Sequence, residues 1–176
     1  MRASLRWAWV TCCVPWTLAV ACGTSGDASK GKCSVSGTLL GSSFDAQDCT
    51  IFTTGHAGAY ATDLVITDFS GACGVVAENS VKAHSKVIDA HFGGVSSLTT
   101  GTYAVGSNGI DAQFVTFDAT CNSPTGESGG GTILVTQASP SISGTFDLYF
   151  NADHVTGSFD VTSCSPAPTD GAVPCL

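Results

Sequence analysis

The chain has 176 residues and a formal net charge of −8 at pH 7. Fourteen acidic side chains and four lysines follow Cys22, a charge of −10, and this part of the chain contains no arginine. Binding to a phosphate backbone requires clustered lysine and arginine, so this balance excludes nucleic acid as the expected partner. The chain after Cys22 has the size of one domain.

The first 21 residues differ in composition from the rest and are typical of an export signal. Arg2 and Arg6 precede an almost uncharged apolar run over residues 7–20, and small residues end the run. This is the order found in secretory signal peptides. The run is shorter than the roughly 20 residues that a membrane-spanning helix needs. We therefore expect residues 1–21 to be a signal peptide, and we expect no transmembrane helix later in the chain.

The residue after this signal is a cysteine, which changes the expected fate of the N-terminus. Leu18-Ala19-Val20-Ala21-Cys22 resembles the lipobox of bacterial lipoproteins, in which the cysteine is diacylated and becomes the new N-terminus. The resemblance implies a lipid anchor at Cys22 and, with Gly23 next in the chain, a place in the outer membrane of a Gram-negative bacterium. The alternative is ordinary cleavage after Ala21, with Cys22 left to form a disulfide bond.

The remaining cysteines predict disulfide bonds. Residues 22–32 are rich in glycine and serine, a composition typical of a flexible tether. Beyond the signal peptide and an acylated Cys22, six cysteines remain, and an even number in an exported chain predicts three disulfide bonds. These six are Cys33, Cys49, Cys73, Cys121, Cys164 and Cys175.

Residues 33–164 alternate between short β-rich runs and turn-forming residues. This pattern predicts an all-β domain, a mostly antiparallel sandwich or barrel of about eight to ten strands. The predicted strands are Ser34–Leu40, Thr50–Thr53, Ala59–Phe69, Val81–Phe92, Thr102–Val105, Ile110–Thr120, Thr132–Thr136, Ser141–Phe150 and Val155–Ser163. In Val81–Phe92 the apolar residues change face once, as at a β-bulge, and a helix is the alternative there. Residues 165–176 form a proline-rich tail that we expect a disulfide at Cys175 to hold.

The last two predicted strands lead to an expected register. A four-residue loop over 151–154 pairs Phe150 with Val155 and places Phe146 opposite Phe159. If an up-and-down meander leads to this hairpin, Cys121 and Cys164 lie at opposite ends of the sheet, about 28 Å apart, whereas a disulfide needs Cα atoms within about 7 Å. We therefore expect these two cysteines to have different partners. The sequence leaves the remaining pairings open.

One motif suggests catalysis. Gly126-Glu127-Ser128-Gly129-Gly130 resembles the nucleophile loop of chymotrypsin-like serine proteases, and His56 precedes it in that family's order. The resemblance implies a hydrolase that uses Ser128 and His56. The residues around His56 lack that family's motif, and the chain is too short for two six-stranded barrels. We therefore interpret residues 126–130 as a flexible loop between two strands and assign no catalytic residue.

The other polar candidates form no known motif, and we assign no metal and no cofactor. Asp45 with Asp48, and the segment Asn108-Gly109-Ile110-Asp111, offer oxygen atoms to Ca²⁺ but lack EF-hand spacing. The three remaining histidines have spacings unlike those of metal sites: His84, His91 and His154.

As a whole the chain resembles the small cysteine-containing lipoproteins of some large Gram-negative genomes. The resemblance rests on the signal, on Cys22, and on two short segments of the predicted strands, Ser143-Gly144-Thr145-Phe146 and Thr156-Gly157-Ser158-Phe159. It implies an envelope location and no particular activity. We expect a non-catalytic module, bound to the lipid bilayer through Cys22, whose ligand is an envelope protein, a glycan or a small molecule. The alternatives are the hydrolase and an apolar-ligand carrier with a cavity inside a barrel.

Overall fold

The computed structural model describes residues 31–56, 59–123, 125–165 and 174–176. In this part of the chain it contains one helix, α1 (Ala72–Ala77), and eleven strands. The strands are β1 (Lys32–Leu39), β2 (Ser42–Ser43), β3 (Asp48–His56), β4 (Ala59–Thr67), β5 (Lys86–Gly93), β6 (Gly101–Val105), β7 (Ile110–Thr116), β8 (Thr125–Gln137), β9 (Ile142–Phe150), β10 (Asp153–Val161) and β11 (Ser163–Cys164). The prediction of an all-β fold is confirmed.

The strands form a single sheet that curls into a half-barrel. Their order is β11-β3-β4-β5-β7-β8-β9-β10-β1-β2, and β6 pairs with β8 beside this path. The long strand β8 connects the two parts of the sheet. Residues 125–128 of β8 pair with β7, residues 131–135 pair with β6, and its other edge pairs with β9.

A disulfide bond joins two strands from opposite ends of this order. Cys33 of β1 and Cys49 of β3 are bonded, with their Cα atoms 6.0 Å apart. The chain also crosses between these ends directly, because β11 follows β10 almost at once and pairs in parallel with residues 51–52 of β3. One covalent bond and one short strand therefore link the two ends of the half-barrel.

The inside of the curl is filled by side chains from alternate strand positions. On β5, for example, Ile88, Ala90 and Phe92 are buried, while the residues between them face outward. Three phenylalanines, Phe92, Phe114 and Phe150, are among the largest fully buried side chains. Burial of such rings contributes a large part of the hydrophobic stabilisation of a domain this size.

The other two disulfides attach irregular segments to the sheet. Cys73 of α1 bonds to Cys164 of β11, and Cys121 bonds to Cys175, so Cys121 and Cys164 have different partners, as the strand-length argument predicts. The backbone of Val81 also exchanges hydrogen bonds with Pro174 and Leu176. The end of the tail is thus fixed to the domain, while residues 1–30 and 166–173 lie outside the described residues.

The prediction of a loop over residues 126–130 is wrong, because these residues belong to β8. At two positions of this strand close packing requires glycine. A Cβ atom at Gly129 would lie 2.6 Å from the ring of Phe150, and one at Gly131 would collide with the carbonyl oxygen of Asp147. Close approach of a neighbouring strand produces the same local composition as a flexible loop.

The predicted register of the β9–β10 hairpin is wrong by two residues. The loop contains two residues, with Asn151 in the left-handed conformation, and Phe150 pairs with Asp153. Two phenylalanines therefore lie opposite glycines: Phe146 opposite Gly157, and Phe159 opposite Gly144. A Cβ atom at Gly144 would lie 2.7 Å from the Phe159 ring, so the small residue makes the space that the ring fills.

The expected strand over Val81–Phe92 is also wrong in its first half. Strand β5 begins at Lys86, and the preceding residues contact the C-terminal tail, with Val81 in a bridge to Cys175. His84 has a left-handed backbone, which interrupts extended structure. The change of apolar face therefore marks the start of a strand and involves no bulge.

The phenylalanine–glycine pairs predict the effect of a single methyl group. In Gly157→Ala the new Cβ would collide with the Phe146 ring and with the carbonyl oxygen of Ser34. We expect the free energy of unfolding, measured in urea, to fall by about 3 kcal/mol. Gly126→Ala is the matched control, since a Cβ there meets only ordinary contacts, and we expect a change within about 0.5 kcal/mol. Equal effects of the two changes would contradict this register.

Candidate functional site

The structure does not bring Ser128 together with the histidines whose side chains it describes. Ser128 lies on the outer face of β8 opposite Gln113, which in turn lies opposite Asp89 on β5. Two strand spacings, roughly 10 Å, therefore separate the serine from the nearest strand that carries a histidine. Among the described side chains Ser128 makes no hydrogen bond to a histidine or a carboxylate. The side chain of His56 lies outside the described residues.

The oxygen atoms considered as Ca²⁺ ligands are used in local structure. The Asp48 carboxylate accepts hydrogen bonds from four backbone N–H groups, those of Gly31, Cys49, Gly71 and Ala72. It thereby connects the start of β1, the start of β3 and the first turn of α1. Asp45 accepts a bond from Gln47. The Asn108-Gly109 pair forms the turn between β6 and β7, with positive φ at both residues.

Two further properties concern metals and membranes. Among the described residues, no group of three or more histidine, cysteine, aspartate and glutamate side chains is arranged to hold a metal ion. Nor is any helix in the described ranges long and apolar enough to cross a membrane.

Two aspartates and a histidine form a cluster on the outer face of the sheet. His91 Nδ1 of β5 lies 2.6 Å from Asp63 Oδ1 of β4, which is the residue directly across from it. The Asp63 side chain is 11 % exposed and the His91 side chain is 45 % exposed. Asp89 lies two residues before His91 on the same face, and its Oδ1 atom is buried without a hydrogen-bond partner.

This environment raises the pKa of both carboxyl groups. Burial is the main cause at Asp89 and the charge of Asp63 adds to it, so that the pKa of Asp89 rises to about 7 against the opposing effect of His91. Burial also raises the pKa of Asp63, although the hydrogen bond from His91 acts in the opposite direction. A buried carboxyl next to another acid retains its proton because ionisation would leave an unsolvated charge.

The cluster can hold a proton near neutral pH, which is also what a general acid or base requires. A nucleophile is the missing part of such a catalytic arrangement. Within the described portion of the chain, no serine, threonine or cysteine side chain hydrogen-bonds to Asp63, Asp89 or His91. The cluster therefore supplies proton binding without an assembled nucleophile.

A shallow groove of about 490 Å³ crosses the outer face of β8, β9, β10 and β1. Five hydroxyl side chains line it, together with apolar groups and the carboxylate of Asp147. Two cross-strand rows run through this face, Thr132–Asp147–Thr156–Ser36 and Leu134–Thr145–Ser158–Ser34. These positions alternate with the buried residues of the same strands, so the fold requires them to face outward.

An aromatic pair stands next to this groove. The rings of Tyr149 and His154 are stacked, with centroids 4.3 Å apart and planes within 3° of parallel. His154 Nε2 lies 2.9 Å from Asp147 Oδ1, which fixes the histidine at the end of the groove. The charge of Asp147 is the main cause that raises the pKa of the Tyr149 phenol, and a side-chain hydrogen bond between the two residues adds to it.

Comparison of the chain with protein-family models, with curated proteins and with solved structures finds no match.

Sequence reasoning missed both groups of residues for identifiable reasons. The register predicted for the final hairpin placed His154 in the loop, which hid its pairing with Tyr149. Asp63 and His91 lie 28 residues apart in sequence, and only the pairing of β4 with β5 brings them together. A signal was nevertheless present in the sequence, because Asp63, Asp89 and His91 are polar residues within apolar strands. All three occupy alternate positions whose side chains face outward.

The cluster predicts how stability depends on pH. Asp89 loses its proton near pH 3.8 in the unfolded chain but near pH 7 in the folded protein. Between these values the folded state binds more protons, so the free energy of unfolding falls as the pH rises from about 4 to about 7. Asp89→Asn removes this fall in the free energy of unfolding, because asparagine does not ionise. We expect the variant to be more stable than the wild type at pH 8 by about 2–4 kcal/mol, since one pKa unit corresponds to 1.36 kcal/mol, with a smaller difference at pH 4.

Urea unfolding at the two pH values measures this effect. Asp111→Asn is the control, because Asp111 is an exposed acid opposite His91 on the same face. We expect its pH dependence to match that of the wild type. A pH profile unchanged by Asp89→Asn would show that Asp89 ionises freely in the folded protein.

Proposed function

We propose that this protein is a non-catalytic binding module of the bacterial cell envelope, anchored by lipid at Cys22, whose outer sheet face holds the ligand. The observation that carries the binding role is the open groove across β8, β9, β10 and β1, because four of its hydroxyl side chains make no hydrogen bond within the described residues. Ligand sites in proteins combine a concave surface with a few convergent polar groups.

The anchor is proposed from the N-terminal sequence. The signal pattern and Cys22 predict acylation, and each buried CH₂ contributes about 0.8 kcal/mol, so that two or more acyl chains anchor a protein stably. The three disulfide bonds support an exported location, because disulfides persist in oxidising compartments. The outer membrane of a Gram-negative cell remains the expected site.

Two further observations favour binding over the alternative roles. Ser128 lies within a regular strand, away from the Asp63–His91 pair. An apolar carrier needs an enclosed cavity, but the interior of the curl is occupied by close-packed residues such as Phe92, Phe114 and Phe150.

The anchor is tested by fractionation of the cells that produce the protein. We expect wild-type protein in the membrane fraction, with an intact mass that begins at Cys22 and includes acyl chains. Cys22→Ala should leave the protein soluble, since the acylated thiol is lost. Cys12→Ala is the matched control, because that cysteine lies in the segment that cleavage removes. A soluble wild-type protein with a free Cys22 thiol would contradict the proposal.

A further inference from the structure

We infer that the groove and Tyr149 form a site for an uncharged glycan chain, in which a sugar ring stacks on the open face of Tyr149. This inference rests on the proposed binding function and names the chemical class of its ligand. Three observations carry it: the open aromatic face, the unused hydroxyl groups, and the charge of the surface.

The first observation is that one face of the Tyr149 ring is covered and the other is open. His154 on β10 stacks against one face. On the opposite side, toward β8, the residue paired with Tyr149 is Gly130. A Cβ atom at Gly130 would find no atom within 4 Å, so space lies beside the ring where most residues would place a side chain.

A flat aromatic face beside open space suits a pyranose ring. The C–H groups on one side of a sugar ring form an apolar surface, which packs on the electron-rich face of an aromatic ring. The Tyr149 side chain is 49 % exposed, so a ligand reaches it from solvent. Stacking with His154 holds the ring in place before the ligand binds, which reduces the entropy lost on binding.

The second observation is a set of hydroxyl groups without partners in the protein. Ser36, Thr132, Thr145 and Thr156 line the groove. In the described residues, none of these four side chains makes a hydrogen bond. A hydroxyl both donates and accepts, and Asp147 adds a carboxylate that accepts only. A polyhydroxylated ligand has the complementary combination of donors and acceptors at close spacing.

The third observation is the charge of this surface. The groove lining contains a carboxylate and, among the residues that the structure describes there, neither lysine nor arginine. The chain after Cys22 carries a charge of −10. An anionic glycan would approach against this charge without a cation to pair with it. The groove crosses four strands, about 14 Å, which is room for more than one sugar unit.

Binding of uncharged oligosaccharides by the full, lipidated protein in detergent tests the inference. The probes are hexamers of glucose, mannose, galactose, xylose and N-acetylglucosamine, with polygalacturonate as the anionic comparison. The N-acetylglucosamine hexamer represents a cell-wall type of glycan, and the other hexamers represent glycans from outside the wall. We expect at least one hexamer to bind and polygalacturonate not to bind.

Two substitutions test the role of the Tyr149 ring in different ways. Tyr149→Ala removes the ring, and Gly130→Leu fills the space in front of it. We expect each to weaken binding at least about tenfold, equivalent to about 1.4 kcal/mol. Tyr149→Phe keeps the aromatic face, and Gly126→Leu places the same new side chain elsewhere on β8, where a Cβ meets only ordinary contacts. We expect these two controls to bind within about threefold of the wild type, since neither covers nor removes the stacking face.

The outcomes separate this inference from the proposed function. The absence of binding by every hexamer, equal binding of polygalacturonate, or binding unchanged by both Tyr149→Ala and Gly130→Leu would each overturn the glycan assignment. Capture of a protein partner that depends on the groove, without any hexamer binding, would overturn it while leaving the binding module intact. A soluble, non-acylated wild-type protein would instead refute the envelope anchor.

Discussion

The link between the two ends of the curled sheet is the constraint on which the rest of the structure depends. An open sheet of this many strands would expose two unpaired edges and the apolar face between them. Here the Cys33–Cys49 bond joins β1 to β3, and the direct passage from β10 to β11 brings a second pair of strands together. With the two ends linked, alternation along each strand places Phe92, Phe146 and their neighbours on the inner face, and it places serine, threonine and aspartate on the outer face. The outer groove is thus a consequence of how the core is enclosed.

Polar side chains in this protein differ in whether they are buried and in whether they make hydrogen bonds within it. Asp48 is buried and fully engaged by backbone N–H groups, so it holds the start of α1 and two strands together. Asp89 is the opposite case, since its buried Oδ1 lacks a partner and its ionisation is therefore costly. Four hydroxyl residues of the groove differ from both, because they lie at the surface and make no hydrogen bond within the described residues. A surface that leaves hydroxyl groups and an aromatic face available is suited to a ligand, which is why the groove, and not the Asp63–His91 pair, carries the proposed function.

Much of the fold was accessible from the sequence, because strand alternation is a local property. The all-β class, most strand positions and the separation of Cys121 from Cys164 follow from alternation and strand length.

The predictions are wrong where distant parts of the chain decide the local structure. The glycines of residues 126–130 suggest a loop, yet they lie in a strand, where the ring of Phe150 approaches Gly129 and the backbone of Asp147 approaches the following Gly131. The register of the hairpin depends on phenylalanine rings packing over glycines. Matching the apolar faces of the two strands does not determine this register, because a shift by two residues leaves every apolar residue on the same face. The same shift concealed the Tyr149–His154 pair, and the pairing of β4 with β5 that creates the Asp63–His91 contact was not predictable from local pattern.

The disulfide connectivity is the most direct test of the account, because the link between the two ends of the curled sheet depends on it. The unreduced protein can be alkylated, digested and analysed for linked peptides by mass spectrometry. The account predicts Cys33 with Cys49, Cys73 with Cys164, and Cys121 with Cys175, and no alkylation of these six residues before reduction. A link from Cys33 to any cysteine other than Cys49, or a free thiol at Cys33 or Cys49, would contradict the linked ends of the curled sheet and the outer face that depends on them.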